Sequence, residues 1–154
     1  KVLSKKDSSL LISEHSTIFE KLIEAIGDKA EEVVDVIKTR VSLLTDFKKE
    51  LIPFVQDPTE FDMNTVENIL ESVGFDGLNI IKENIRLSNT SLIKEGIYED
   101  SRIKGVNFGK LMHFLRISLV GSLSGPDLFF IIKIVGKDVT LRRLNLLLEK
   151  THKQ

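Results

Sequence analysis

The sequence predicts an all-α fold made of two small helical subdomains, and three observations lead to this. Apolar residues recur at helical spacing along most of the chain, and no alternating strand pattern of convincing length occurs. Glycine, proline and side chains that favour helix starts separate these apolar stripes. The stretch 56–62, which contains Asp57 and Pro58, loses the helical period. We therefore place a boundary there and predict subdomains at 1–56 and 57–154.

The first subdomain is predicted to contain three helices. Residues 18–26 form one apolar face that a glycine closes. Asp28 is the expected cap of the next helix, because a short acidic side chain can accept the free N–H groups of a first turn. A third helix is expected to begin near Ser42 or Thr45, and Pro53 is expected to bend or end it.

The second subdomain is predicted to open with short helices joined by polar turns. Asn64 followed by Glu67 resembles a capping box, and Gly74 is the expected stop of that helix. Another apolar stripe follows at residues 78–85. The polar cluster at 88–90 is typical of a turn and cap before the next helix.

The stretch 105–148 carries the clearest helix signals. Apolar residues at 108–119 fall at helical spacing, and Gly121 follows them as a left-handed stop. Residues 124–127 are expected to start a second helix. Pro126 would occupy its first position, where no backbone N–H is needed.

The apolar block 128–135 is the one stretch that fits a buried strand as well as a helix. Helix start and stop signals flank it, with Gly136 as the stop, and therefore the sequence favours a helix. Lys133 interrupts the block, which is also far shorter than the ~18 residues of a membrane span. Asp138 is expected to open the last helix.

The composition excludes several kinds of site. The chain has no cysteine, so it can form neither a disulfide nor a thiolate metal site. Its three histidines, His15, His113 and His152, lie far apart, unlike a zinc or general-base cluster. The segment 105–110 lacks the spacing of a phosphate-binding loop. We predict no catalytic residue, no metal site and no cofactor site in this chain.

Charge is distributed unevenly along the chain. Residues 1–100 contain 12 Lys and Arg against 20 Asp and Glu, a net charge of −8. Residues 101–154 contain 10 against 3, a net charge of +7. Phosphates are attracted to positive surfaces, so a nucleic-acid surface is expected on the C-terminal third.

The stretch 105–148 also contains a set of residues at spacings that form a recognisable motif. They are Leu115, Arg116, Leu119, Gly121, Ser122, Gly125, Pro126, Leu128, Phe129, Gly136, Lys137, Asp138, Arg142, Arg143 and Leu144. This pattern resembles the C-terminal anticodon-binding region of bacterial-type glutamyl-tRNA synthetase. Upstream, residues 36–54 resemble the first anticodon-binding subdomain of the same family.

The resemblance implies a curved cage of two stacked helical subdomains that binds the anticodon loop of glutamate tRNA. It places a base-reading arginine on Arg116 and the reading turn on Gly125, Pro126 and Leu128. It places a second arginine, next to the first anticodon base, on Arg40. Discrimination between glutamate and glutamine tRNA stays open.

These assignments suit the chemistry of an anticodon loop. Its bases are single-stranded, so their edges and faces are accessible, and helix ends and glycine turns can offer them backbone groups. Plainer roles exist for the same residues. Arg116 could cap a helix end or pair with an acid, and Gly125 and Pro126 also serve as structural punctuation.

The resemblance further implies that ATP and Mg²⁺ act only in a full-length enzyme, because the HIGH and KMSKS signatures are missing here. The chain opens with Lys1 and no targeting pattern, which suggests a fragment of a longer protein. We expect a cytoplasmic, non-catalytic monomer that binds no membrane, with glutamate tRNA and the catalytic domain of the same chain as partners. The alternative is a helical protein–protein interaction module with no RNA role, which the acidic first hundred residues favour. A self-contained enzyme has no motif to support it.

Overall fold

A computed structural model describes residues 16–41 and 44–152 of the chain. Over these residues every regular element is a helix, which confirms the all-α prediction. The chain divides into two compact units, Lys1–Gln56 and Asp57–Gln154. Each unit has its own buried apolar core.

Within residues 16–41 and 44–56, the first unit contains three α-helices and one short 3₁₀ turn. They are α1 (Ser16–Ile26), the 3₁₀ turn Gly27–Lys29, α2 (Ala30–Lys38) and α3 (Leu44–Val55). The rings of Phe19 on α1 and Phe47 on α3 lie 6.0 Å apart and join these two helices. Among the residues whose burial the structure describes, the buried apolar ones are Ile18, Phe19, Leu22, Ala30, Val33, Ile37, Phe47, Leu51 and Phe54.

The predicted cap of α2 is wrong, and the prediction for Pro53 holds at most in part. Asp28 does not cap α2, because the chain is already helical there and Lys29 occupies the cap position with αR angles. A side-chain cap requires a non-helical residue at that position. Of the two effects predicted for Pro53, a bend or an end, it does not end α3, which continues to Val55, and the bend stays a prediction. Of the two proposed starts of α3, Ser42 lies outside the described residues and Thr45 lies within the helix.

Over its described residues, 57–152, the second unit contains five α-helices and one 3₁₀ turn. They are α4 (Met63–Leu87), the 3₁₀ turn Thr90–Leu92, α5 (Ile93–Lys104), α6 (Phe108–Val120), α7 (Leu128–Val135) and α8 (Lys137–His152). Helix α4 packs against α5, α6 and α8, and α6 packs against both α7 and α8. Gly74 has non-helical angles and kinks α4 where the sequence predicted a stop. The helical prediction for 128–135 is confirmed by α7.

Helix starts in this unit differ from the predicted ones by one or two residues. Asp62, and not Asn64, caps α4, because Asp62 has non-helical angles and its carboxylate accepts the Thr65 N–H at 3.3 Å. Asp127 caps α7 by accepting the Phe130 N–H at 2.9 Å, which leaves Pro126 outside the helix. The last helix begins one residue before Asp138.

Gly121 is the left-handed stop of α6 that the sequence predicted, with φ of 95°. Its N–H donates to the Ile117 carbonyl at 2.7 Å, and its carbonyl accepts the Asp62 N–H at 3.0 Å. A Cβ at this position would collide with the Glu60 carbonyl oxygen. The segment before α4 therefore lies directly against the end of α6.

We expect Gly121→Ala to destabilise the second unit by about 2–4 kcal/mol, from left-handed strain plus the collision with Glu60. Gly105→Ala is a matched control, because Gly105 also ends a helix with positive φ but has open space around it. It should cost about 1 kcal/mol. Urea unfolding followed by the fluorescence of Tyr98, the single tyrosine in a chain without tryptophan, reports on this unit. Equal losses would show that the Glu60 contact contributes nothing.

Candidate nucleic-acid interface

Arg116 lies on α6 at the edge of the buried apolar stripe. Its neighbours Leu115 and Ile117 are fully buried, whereas Arg116 itself is half-buried. Its Nη1 donates to the Pro126 carbonyl at 2.7 Å. Arg116 therefore spans from α6 to the far end of the turn that follows the helix.

That turn comprises residues 121–127 and is called here the 121–127 turn. Its tip is exposed at Ser122, Leu123 and Ser124, whereas Pro126 is buried. Gly125 lies so close to α6 that an added Cβ would stand 3.2 Å from a methyl group of Val120. The missing side chain lets the backbone of the turn approach the helix.

The structure brings three of the predicted site residues together. Arg116, Gly125 and Pro126 meet at the 121–127 turn. Leu128 follows as the first residue of α7, but the whole residue is only 4% exposed and lies in the core. In this structure Leu128 therefore offers almost no surface of its own to a ligand.

Arg40 belongs to the first unit and lies in the turn after α2. Its backbone N–H donates to the Ile37 carbonyl at 2.9 Å. Its guanidinium donates to Glu50 on α3, through Nη2 at 2.8 Å and Nε at 3.2 Å to the same oxygen. The Arg40 side chain is 41% exposed. A nucleic acid that contacts Arg40 would meet a guanidinium already oriented by a carboxylate.

The structure also shows a group of three charged side chains whose pairing the sequence did not predict, formed by Asp57, Arg142 and Arg143. We call it the Asp57 clamp. Arg142 donates to Asp57 through Nη2 at 2.7 Å and Nε at 3.2 Å. Arg143 donates to it through Nε at 2.9 Å. The Nη1 of Arg143 also donates to the Leu119 carbonyl at 3.0 Å, in the last turn of α6.

The clamp changes the acid–base properties of its members. Hydrogen bonding from Arg142 lowers the pKa of Asp57 below its ordinary value of 3.8, with partial burial opposing it and Arg143 adding to it. Burial lowers the pKa of Arg143, whereas the hydrogen bond to Asp57 raises the pKa of the exposed Arg142. Both guanidinium groups stay charged at neutral pH, because the ordinary pKa of arginine lies far above it.

Only part of the clamp had a signal in the sequence. Arg142 and Arg143 belong to the motif that carries the resemblance, but their partner Asp57 lies 85 and 86 residues away. From the sequence alone, Asp57 belongs to a predicted boundary because a proline follows it. No local pattern links an acid at that distance to a pair of arginines.

Two further properties bear on what the surface can do. Among residues 16–41 and 44–152, no three or more His, Asp or Glu side chains are grouped so that they could hold a metal ion. Within the same residues, no helix combines the length and the apolar character needed to cross a membrane.

Comparison with known proteins identifies the family. Residues 16–148 match the family described as "Anticodon binding domain". The chain belongs to this anticodon-binding family. The match includes Arg40 in the first unit and Arg116 with the 121–127 turn in the second.

Similar proteins include the glutamate–tRNA ligases of Christiangramia forsetii and Phocaeicola vulgatus. The first is 34% identical over 142 residues, which cover 90% of this chain and 28% of the relative. The second is 34% identical over 131 residues, covering 79% and 25%. This anticodon-binding chain therefore spans less than a third of the length of the curated relatives it matches.

Solved structures show the same likeness. A glutamate tRNA ligase from Elizabethkingia meningosepticum, crystallised with its amino acid, superposes with a TM-score of 0.70 at 26% identity, covering 92% of this chain and 29% of that chain. The glutamate-tRNA synthetase of Elizabethkingia anophelis gives 0.69 at 27% identity, covering 92% and 28%. These findings confirm the predicted resemblance to the anticodon-binding region of a glutamyl-tRNA synthetase.

The lowered pKa of Asp57 gives a prediction for stability in acid. The Asp57 carboxyl has a lower pKa in the folded state than in the unfolded state, so the carboxylate adds to the free energy of unfolding above the ordinary pKa of 3.8. This stabilisation is lost as the pH falls from 3.8 through the lower pKa of the folded state. We expect Asp57→Asn to flatten this part of the curve of unfolding free energy against pH, measured by urea unfolding.

Glu99→Gln is the matched control for this measurement. Glu99 also accepts two hydrogen bonds from an arginine, Arg102, but on the exposed surface of α5. Hydrogen bonding from Arg102 also lowers the pKa of Glu99, but solvent screens this exposed pair, so the curve for Glu99→Gln should stay close to that of the unsubstituted chain. A curve for Asp57→Asn that runs parallel to that of the unsubstituted chain would contradict the prediction.

Proposed function

We propose that this chain binds the anticodon loop of glutamate tRNA as the recognition region of a glutamate–tRNA ligase. The observation that carries the proposal is the family match over residues 16–148, which contains Arg116 hydrogen-bonded to the 121–127 turn. The named relatives and solved neighbours are glutamate–tRNA ligases. The positive charge of residues 101–154 suits a phosphate-rich partner.

The proposed recognition uses the 121–127 turn and Arg116 together. An unpaired base can be hydrogen-bonded on its edge and stacked on a flat side chain, and a guanidinium can do both. Arg116 is half-buried and held at Pro126, so little side-chain freedom has to be lost when it meets a base. Gly125 and the exposed Ser122 and Ser124 leave room and polar groups for the RNA backbone.

Arg40 is proposed to contact the first anticodon base from the first unit. Its bonds to Glu50 orient the guanidinium before RNA arrives. Whether this position makes the chain prefer glutamate tRNA to glutamine tRNA is decided by measuring both RNAs with the Arg40→Ala variant. A loss confined to glutamate tRNA would assign the preference to Arg40.

Aminoacylation is proposed to belong to the catalytic part of the full-length ligase, where ATP and Mg²⁺ would act. The residues of this chain do not fit ATP and Mg²⁺, because the sequence has no HIGH or KMSKS signature. Among the described residues, no cluster of three or more His, Asp or Glu side chains could hold a metal ion. The proposed role of this chain is to bind the anticodon loop. We further propose that the ligase is cytoplasmic and that this chain is monomeric.

The proposal predicts anticodon-dependent binding. Fluorescence anisotropy would compare glutamate tRNA with the same tRNA carrying an altered anticodon, at about 50 and 200 mM salt, since phosphate contacts weaken steeply over that range. Tighter binding of the native anticodon at both concentrations is expected. Equal, salt-sensitive binding would reduce the surface to a basic patch, and no binding would favour the protein-interaction alternative.

Arg116→Ala is expected to weaken binding of the native anticodon by about 1–3 kcal/mol, the size of a bidentate base contact. Binding of the altered anticodon should change much less, because it lacks that contact. Arg86→Ala is the matched control, since Arg86 is an exposed arginine of the same unit on α4, paired only locally with Glu83. Equal losses on both RNAs for Arg116→Ala would make Arg116 a phosphate-binding or structural residue.

A further inference from the structure

Building on the function proposed above, we propose that Asp57 is a positioning residue for anticodon reading. It acts through Arg143, which holds the carbonyl end of α6, and so it sets the orientation in which Arg116 and the 121–127 turn meet the RNA. Asp57 itself touches no base in this proposal. Its carboxylate is occupied by Arg142 and Arg143.

The first link is the buried guanidinium of Arg143. The residue is 2% exposed, and its Nε and Nη1 donate to two different parts of the unit, Asp57 and the Leu119 carbonyl. Leu119 lies in the last turn of α6, where a helix leaves carbonyl groups without intrahelical partners. A positive group at this helix end is also favoured by the helix dipole. Arg143 is therefore the cap of α6 supplied from α8.

The second link is the carboxylate that fixes Arg143. A buried guanidinium requires a charged partner, because an unpaired charge in a core is strongly unfavourable. Asp57 is that partner, and Arg142 turns the carboxylate toward Arg143 by binding both of its oxygens. The side chain of Arg142 is 55% exposed and that of Asp57 is 30% exposed. Arg142 thus holds the carboxylate from the solvent side while Arg143 holds it from inside.

The third link lies a few residues further along the same segment. The Asp62 N–H donates to the Gly121 carbonyl at 3.0 Å, and a Cβ on Gly121 would collide with the Glu60 carbonyl. The segment 57–62 therefore contacts the end of α6 at two points. One contact runs through Arg143 to Leu119, and the other runs directly to Gly121.

The consequence concerns Arg116, which lies one helical turn before Leu119 and donates to Pro126 at the far end of the turn. Arg143 anchors the start of the 121–127 turn and Arg116 anchors its end. Hydrogen bonds to a base edge weaken as the donor–hydrogen–acceptor angle departs from linearity. A small tilt of the last turn of α6 therefore reduces discrimination between bases. Attraction to phosphates depends less on angle and survives such a tilt.

The test uses the 154-residue chain with Asp57→Asn, which keeps the shape of the side chain and removes its charge. Glu99→Gln is the matched control, because it removes a carboxylate from another arginine contact in the same unit. The first readout is discrimination, the ratio of Kd for the altered anticodon to Kd for the native one. The second is amide hydrogen exchange at Gly121 relative to Gly105, both of which donate to a carbonyl at a helix end.

For Asp57→Asn we expect discrimination to fall by about 5- to 10-fold, the effect of weakening one bidentate base contact, with Kd for the altered anticodon within about twofold. Gly121 should exchange faster while Gly105 is unchanged, because loosening is local. Glu99→Gln should leave both readouts unchanged. A merely structural role would accelerate both glycines together and weaken both RNAs equally.

The outcomes separate this inference from the proposed function. If the unsubstituted chain does not discriminate between anticodons, the proposed function fails, and the positioning role fails with it. If the unsubstituted chain discriminates and Asp57→Asn discriminates equally well, only the positioning role of Asp57 is overturned. Lost discrimination with unchanged Gly121 exchange would also overturn it, because the effect would then not pass through the end of α6.

Arg142→Gln keeps the test decisive if Asp57→Asn does not fold. Arg142 is largely exposed, and its replacement leaves the bonds of Arg143 to Asp57 and Leu119 available. We expect a smaller change in the same direction, with Gly121 exchanging faster than Gly105 and discrimination reduced about two- to threefold, as for one weakened hydrogen bond. No change in either readout would overturn the positioning role.

Discussion

Arg143 brings a charged guanidinium into the interior of the second unit, where an unpaired charge would cost several kcal/mol. Its contacts with Asp57 and with the Leu119 carbonyl compensate that cost. Because guanidinium hydrogen bonds are directional, these contacts fix three pieces of chain at once: the segment before α4, the end of α6 and the first half of α8. Arg143 is therefore one of the contacts that fix where the 121–127 turn begins.

The end of α6 has to satisfy two demands that normally conflict. Its backbone carbonyls need partners, and a binding surface needs exposed polar groups. The structure meets the two demands on opposite sides of the turn. On the inner side, Arg143 and the Asp62 N–H donate to the carbonyls of Leu119 and Gly121. On the outer side, residues 122–124 remain exposed. Gly121 permits this division, because a side chain there would separate the segment 57–62 from the helix.

The sequence predicted the helices well because their signal is local. Apolar spacing located α4 to α8, and Gly121 was recognised as a stop from its neighbours alone. Helix starts were less predictable, since several polar residues near α4 could serve as the cap and only backbone angles select Asp62. The motif at 115–144 was enough to assign Arg116 to the candidate site. The Asp57 clamp could not be predicted, because Arg142 and Arg143 lie 85 and 86 residues from Asp57 and charge alone does not pair them.

Two different kinds of acceptor orient Arg40 and Arg116, a carboxylate for Arg40 and a backbone carbonyl for Arg116. Glu50 places a negative charge 2.8 Å from the Arg40 guanidinium, so a phosphate or base that contacts Arg40 has to compete with a carboxylate. The Pro126 carbonyl, a neutral acceptor, orients Arg116 by accepting a hydrogen bond from its Nη1 at 2.7 Å. A side chain already held in one direction has less freedom to lose when it meets a ligand. Under the function proposed above, Arg40 would contribute selectivity, since a ligand has to compete with Glu50 to engage it.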